Sequence, residues 1–349
     1  MTMRRRMAVL AGLMLGGSTL GGAASPLPPV ALDLIIGDTL PQHLSDYRFF
    51  TDRAATRPNA RVTGYALNTP LFSDYAEKAR FLYVPPGTRA GYGAAGALDL
   101  PVGSALIKTF AFAADLRAPG NDLRVIETRV LLRRAAGWVA LPYVWNADGS
   151  DAVLQRSGGR VGVTWLAGDG RRETISYRIP NSNQCKECHA LANAIQPIGP
   201  KARNLNDGAQ LGRLVAAGYI APAPADTPRL PRWDDDSAPL AARARAYLDV
   251  NCGHCHNRAG AASNTGLYLT WDEPDGTATG LGKRPVAAGR GSGGHDFAIE
   301  PGHPERSILL YRMRSMEPGV AMPEQGRATV HREAVDMLGR WIAAMPARP

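Results

Sequence analysis

The chain has 349 residues, 45% of them hydrophobic and 20% charged, which is ordinary for a globular protein with room for two or three domains. Its formal charge of +9 becomes +6 once Arg4, Arg5 and Arg6 are set aside, and no basic stripe interleaves with aromatic residues, which excludes nucleic acid as the partner. Beyond the N-terminus no stretch reaches the roughly 20 apolar residues of a membrane span.

The N-terminus reads as an export signal over residues 1–24. Arg4 to Arg6 form a positive region, Met7 to Leu20 a short apolar core, and Gly22-Ala23-Ala24 a small-residue cleavage site. Removal of this segment leaves a periplasmic or otherwise exported protein with no transmembrane span.

Residues 30–180 carry strand signals. Phe81-Leu82-Tyr83-Val84 runs into the turn Pro85-Pro86-Gly87, and Leu106 to Ala113 is rich in β-formers. Val125 to Leu132 alternates, with Val125, Glu127, Arg129 and Leu131 on one face, and Ala136-Gly137 turns it into Trp138 to Trp145. Gly168-Asp169-Gly170 separates two further strands as a hairpin turn. Short strands joined by short turns predict an antiparallel β-sandwich or barrel-like domain.

After Pro180 the composition changes. Residues 181–230 hold a first cysteine motif, a short helix and a Pro-rich linker. Residues 235–349 read as helical: Ser237 is placed to cap a helix whose Leu240, Ala244, Tyr247 and Leu248 share a face, Pro304 opens another, and Val330, Ala334, Met337, Leu338, Trp341 and Ile342 form the stripe of a last one. The fold expected is therefore multidomain α+β, a β-rich N-terminal domain followed by a mainly α region.

All four cysteines fall in two copies of Cys-x-x-Cys-His, Cys185-Lys186-Glu187-Cys188-His189 and Cys252-Gly253-His254-Cys255-His256. Thiols at this spacing can add to the two vinyl groups of one haem, and the adjacent histidine then supplies an axial nitrogen to the iron. Two covalent c-type haems are expected, on Cys185 and Cys188 with His189, and on Cys252 and Cys255 with His256. A disulfide pair or a four-cysteine zinc site would not need a histidine directly after both pairs. Gly289-Arg290-Gly291-Ser292-Gly293-Gly294 lacks the Gly-Lys-Ser/Thr ending of a phosphate loop and fits a haem-pocket loop better, with Arg284 or Arg290 available to pair with a propionate.

The order helix, Cys-x-x-Cys-His, loops, helix, Met-Pro loop, terminal helix resembles the class I cytochrome c fold. More widely, Pro70-Leu71-Phe72-Ser73-Asp74-Tyr75-Ala76, Ile126-Glu127-Thr128-Arg129, Tyr143-Val144-Trp145-Asn146, the two haem motifs and Ala321-Met322-Pro323-Glu324 resemble a family of bacterial exported dihaem c-type cytochromes with a β-rich N-terminal region. The resemblance implies single-electron transfer with redox protein partners, an exported oxidoreductase or another cytochrome. Its N-terminal stretches carry no assigned chemistry.

Within that resemblance Met322, in a loop flanked by Pro and Gly, is the expected axial ligand of the second haem, whereas Met337 fits a core stripe and Met313 and Met316 fit packing. Among the histidines, His303 and His331 read as surface residues, and His254 cannot swing to the far face of its own iron. Residues 190–251 contain neither Met nor His, so the sixth ligand of the first haem is expected from far along the chain, which makes that iron the more open one. An open first site would suit a peroxidase-like dihaem enzyme. A third reading makes the β-rich part a binding module with the haems as its redox attachment.

Overall fold

The computed structural model describes residues 27–93 and 96–347; the expected export signal at 1–24 lies outside them. Six strands, β1 (Val62–Gly64), β2 (Glu77–Tyr83), β3 (Ala105–Ala113), β4 (Leu123–Arg134), β5 (Gly137–Trp145) and β6 (Ala152–Leu154), form one antiparallel sheet in sequential order. A separate hairpin, β7 (Gly159–Leu166) with β8 (Arg172–Ile179), follows, and then a very short one, β9 (Ala190–Leu191) with β10 (Ala194–Ile195). Seven α-helices complete the described chain: α1 (Leu32–Ile36), α2 (Ser182–His189), α3 (Ala202–Leu205), α4 (Gln210–Ala216), α5 (Leu240–Asn251), α6 (Ile308–Arg314) and α7 (Arg332–Ala343).

This architecture corrects the expected fold class. Helix makes up only 23% of the described residues, the six-stranded sheet is the largest element among them, and no mainly α cytochrome region follows it there. The helical signals that the sequence carries are real but short: α5 and α7 have 12 residues each. Between them, residues 252–307 form no α-helix, only isolated 3₁₀ turns. That stretch is punctuated by Gly253, Gly260, Gly266, Gly276, Gly280 and Gly282, and each interior glycine costs a helix about 1 kcal/mol relative to alanine. The β half is also an open sheet with a separate hairpin rather than a closed barrel. Ser237 does not cap α5, which starts after Pro239; its hydroxyl bonds Asp235 instead.

The alternation of the strands sorts residues to two faces. Ile107 pairs with Val130 and faces one side; Leu106 and Lys108, opposite Leu131 and Arg129, face the other. On the first face Ile107, Val130, Leu132, Leu141 and Tyr143 pack against Ile35, Leu44, Tyr47 and Phe49 from the N-terminal segment. On the second face, one end is apolar: Leu82, Leu106 and Trp138 pack on Ala202, Leu205, Leu211 and Leu214 of α3 and α4. Around the other end Phe110 and Phe112 pack against Trp165, Ile175 and Tyr177 of the β7–β8 hairpin. The middle of the second face stays polar.

The loop over residues 70–76 ties the sheet to the C-terminal helices. The Phe72 amide donates to Asn251 at 2.7 Å, Asp74 accepts from the amides of Ala328 at 2.6 Å and Thr329 at 3.0 Å, and the Tyr75 hydroxyl donates to Glu333 at 2.8 Å. Against this loop sits His331, which is not a surface residue. Its ring stacks on Phe72 at 4.1 Å, meets Trp233 edge-on at 4.7 Å, and takes a 3.0 Å hydrogen bond between Nδ1 and the Tyr247 hydroxyl. Helix α7 starts immediately after it, and the helix's apolar stripe buries Ala334, Met337, Leu338 and Trp341 against Tyr247 and Leu248 of α5.

Burial, with the nearby charge of Lys78 as a second cause, holds the His331 imidazole down from 6.5 to about 3. A base with a depressed pKa stabilises the fold above 6.5 and loses that contribution as the pH falls from 6.5 toward 3. His331→Phe keeps the ring stack but cannot take a proton. The expected outcome is a shallower loss of unfolding free energy with acid in that window, by up to about 1.4 kcal/mol per pH unit. Chemical denaturation at a series of pH values checks this, and an unchanged slope contradicts it.

Candidate functional site: two Cys-x-x-Cys-His motifs at one seam

The first motif occupies a helix whose start is fixed by a capping box. Asn181 Oδ1 accepts from the amides of Asn183 at 3.0 Å and Gln184 at 2.9 Å, while Gln184 Oε1 accepts from the Asn181 amide at 3.0 Å. Starting α2 there puts Cys185 in the first turn and Cys188 three residues on, so the two thiols share a helix face. His189 ends the helix. Its Nδ1 lies 2.8 Å from the carbonyl oxygen of Gln196, whose own amide donates back to the His189 carbonyl at 2.7 Å. The carbonyl can only accept, so Nδ1 carries the proton and Nε2 keeps its lone pair. Burial, the largest cause, lowers the imidazole to about 4.

The chain returns to His189 through the β9–β10 hairpin. Its two central residues, Ala192 at φ 49° and Asn193 at φ 63°, are both left-handed, as a two-residue hairpin turn requires. This turn is also where the second motif arrives. The Ala192 amide donates to the Ala259 carbonyl at 3.0 Å, and Leu191 forms an antiparallel bridge with Gly260.

The second motif begins where α5 ends. The amides of Cys252 and Gly253 both donate to the Leu248 carbonyl at 2.9 Å, and the His256 amide donates back to Cys252 at 2.9 Å. Asn257 Nδ2 holds the turn from inside, reaching the carbonyls of Gly253 at 2.9 Å and His254 at 3.0 Å. Gly253 is required by space: a Cβ there would lie 2.7 Å from the Asp249 carbonyl oxygen. His256 is lowered by burial, opposed by the Leu267 carbonyl.

The cysteines are free thiols, and burial raises them: Cys252 to about 12, Cys255 to about 11. A Cys-x-x-Cys redox pair needs a thiolate of depressed pKa, so the environment here is the opposite of that of a thiol oxidoreductase. Among the described residues no cluster of His, Cys, Asp and Glu is arranged to hold a bare metal ion.

Met322 sits in a loop brought to the same place. Its amide donates to the Arg312 carbonyl at 3.0 Å, and Arg312, on α6, is close enough to His256 to depress it further. Two residues on, Glu324 lies within electrostatic reach of Cys255, and Gln325 meets Gln184 of α2 at 3.4 Å. Cys185, Cys188, His189, Cys252, Cys255, His256 and the Met322 loop therefore belong to one neighbourhood. Met313 and Met337 are buried in the α5–α7 core, as their packing reading requires, whereas Met316 is exposed and packs in no core, contrary to that reading.

His254 is the residue that the sequence did not place. It lies beside the first motif: its charge lowers the imidazole of His189, and burial, the largest cause, takes His254 itself to about 4. Its Nδ1 is enclosed and makes no well-formed hydrogen bond, with the Val250 carbonyl as the acceptor it senses. The expected propionate partners fall elsewhere. Arg284 pairs with Asp296 at 3.0 Å and Arg290 with Glu317 at 2.5 Å, so both already have carboxylates of their own. Two surface depressions, one around Tyr75, Trp165 and Arg332 and one around Leu211 and Pro222, are lined by none of the four cysteines.

No family model, curated protein or solved structure matches the chain. Among the described residues no helix is long and apolar enough to cross a membrane.

Gly260 is the tightest point of the seam. A Cβ there would lie 2.4 Å from the Cys255 carbonyl oxygen and 2.6 Å from Asn257 Nδ2. Gly260→Ala is expected to displace the second motif and destabilise the protein by about 1–3 kcal/mol. Denaturant titration checks the loss, and a change within error of zero would show that the seam yields without cost.

Proposed function

We propose that this chain is a dihaem c-type cytochrome that relays single electrons between redox proteins in the periplasm or another exported location. The observation that carries the reading is the joining of two complete Cys-x-x-Cys-His motifs at one hydrogen-bonded seam, Ala192 to Ala259 and Leu191 to Gly260. Thiols and imidazoles fit the group. Cys185 and Cys188 share a helix face, and the thiols, one buried and one half-buried, are raised by burial, which favours thioether bonds over thiolate chemistry. His189 presents Nε2 because Gln196 holds Nδ1, the outer-shell arrangement that orients an iron-ligating histidine.

A bound haem supplies a one-electron iron couple; the chain's part is to attach, ligate and seclude it. Cys185, Cys188 and His189 hold the first haem in this reading, and Cys252, Cys255, His256 and Met322 the second. His254, within electrostatic reach of His189, would be the chain's own candidate to cap the first iron from within the second motif. A cap there would favour electron transfer over a peroxidase-like enzyme, because a capped iron offers no site to substrate.

Expression with the c-haem maturation machinery tests the proposal. A pyridine haemochrome assay is expected to give two haems per chain, and Cys185→Ser and Cys252→Ser each to remove one; a single haem in the unsubstituted protein contradicts it. In the same series, reduced wild-type protein is expected to bind carbon monoxide slowly or not at all, and His254→Ala to open one iron per chain. Rapid binding by the wild type would restore the enzyme reading.

A further inference from the structure

The second face of the sheet carries a row of cations that the proposed function has not used. Strand register sets Arg80 of β2 opposite Lys108 of β3, and Lys108 opposite Arg129 of β4, with Lys78 one step along β2 on the same face. Like charges directly across strands repel. The row is nevertheless half-buried, beside the strand β5 on which α2 and β10 pack.

The chain neutralises only one end of this row. Arg129 forks onto Glu127, at 2.5 and 3.0 Å, with the Tyr177 hydroxyl donating to the same carboxylate at 2.6 Å. Lys78 and Arg80 spend donors on backbone carbonyls, those of Leu71 and Lys78. Lys108 lies over the Phe110 ring at 5.1 Å, with the Arg129 guanidinium over the same ring at 4.2 Å, and has no carboxylate within ion-pair distance among the described residues. Burial, then the charges of Arg129 and Arg80, lower Lys108 to about 7. A fold that sets cations side by side in a half-buried place leaves room for a missing anion.

The row also lies under the attachment site. Arg129 is within electrostatic reach of Cys185 and Cys188, and Lys108 of Cys188, His189 and His254. We infer that the Arg80–Lys108–Arg129 row is a carboxylate seat and that haem propionates fill it in the holoprotein. This rests on the dihaem reading: the two thioethers tether the porphyrin beside the row, and the propionates are the carboxylates that it carries. The row gives the buried anions their counter-charge, and it favours the ferrous over the ferric iron, which raises that haem's potential.

The test uses the holoprotein. Haem content is measured first, and fewer than two haems per chain defeats the dihaem reading without touching the seat. With two haems present, Lys108→Met is expected to shift the propionate bending bands in the resonance Raman spectrum and to lower the midpoint potential of one haem. Lys108→Arg should keep both near wild type, and Arg172→Met, a charge loss on an exposed strand residue, should leave both unchanged. Arg80→Met, expected to move the same bands, serves if Lys108→Met does not fold. Unmoved propionate bands in a folded, fully loaded Lys108→Met or Arg80→Met protein overturn the inference. So does a saturable spectral response of the wild type to added succinate that Lys108→Met abolishes, because the row would then serve a free carboxylate.

Discussion

The seam between residues 191–192 and 259–260 governs the rest of the site. Helix α2 hangs from the sheet side of the protein and α5 from the C-terminal helices, and this seam ties the ends of both together. Each component is local and inexpensive: a left-handed pair at Ala192 and Asn193, and a glycine at 260 where a side chain would strike Cys255. Together they fix four thiols and three imidazoles within one neighbourhood. The loop over 70–76 does the same for the wider structure, since Asp74 satisfies two amides of the segment that leads from Met322 into α7.

A second constraint comes from the sheet face below. The face changes character along the strands, apolar beneath α3 and α4, cationic in the middle, aromatic toward the β7–β8 hairpin. Burying apolar ends around a charged centre confines the charge to one place and half-buries it. Charges confined there act on whatever the first motif holds with a strength that surface charges cannot match, because solvent screens the latter.

The strands were legible because they obey a local rule. Alternation over 125–132 and the turn at Ala136-Gly137 locate β4 and β5, and Gly168-Asp169-Gly170 locates the β7–β8 turn, all within a residue or two. The two Cys-x-x-Cys-His motifs were legible for the same reason, being contiguous. Helix content was overread: the stripes of α5 and α7 are genuine, but a stripe says nothing of the glycine-punctuated coil between them, and the mainly α region inferred from their order does not exist. His331 was misread because a polar residue at a helix start looks exposed unless Phe72, Trp233 and Tyr247 are known to meet there. The cation row is invisible for a related reason. Arg80, Lys108 and Arg129 are far apart in sequence, and only the register of three strands makes them neighbours. His254 needed the seam itself, since nothing in Cys252-Gly253-His254-Cys255-His256 indicates that its third residue turns toward the other motif.

The central claim is that the two motifs hold a pair of adjacent, electronically connected haems. Low-temperature electron paramagnetic resonance of the fully oxidised holoprotein tests it most directly. Two ferric irons on either side of this seam are expected to broaden and shift each other's signals, and reduction of one should sharpen the other. Two independent ferric signals that together account for all the iron, unchanged when one haem is reduced, would contradict the account.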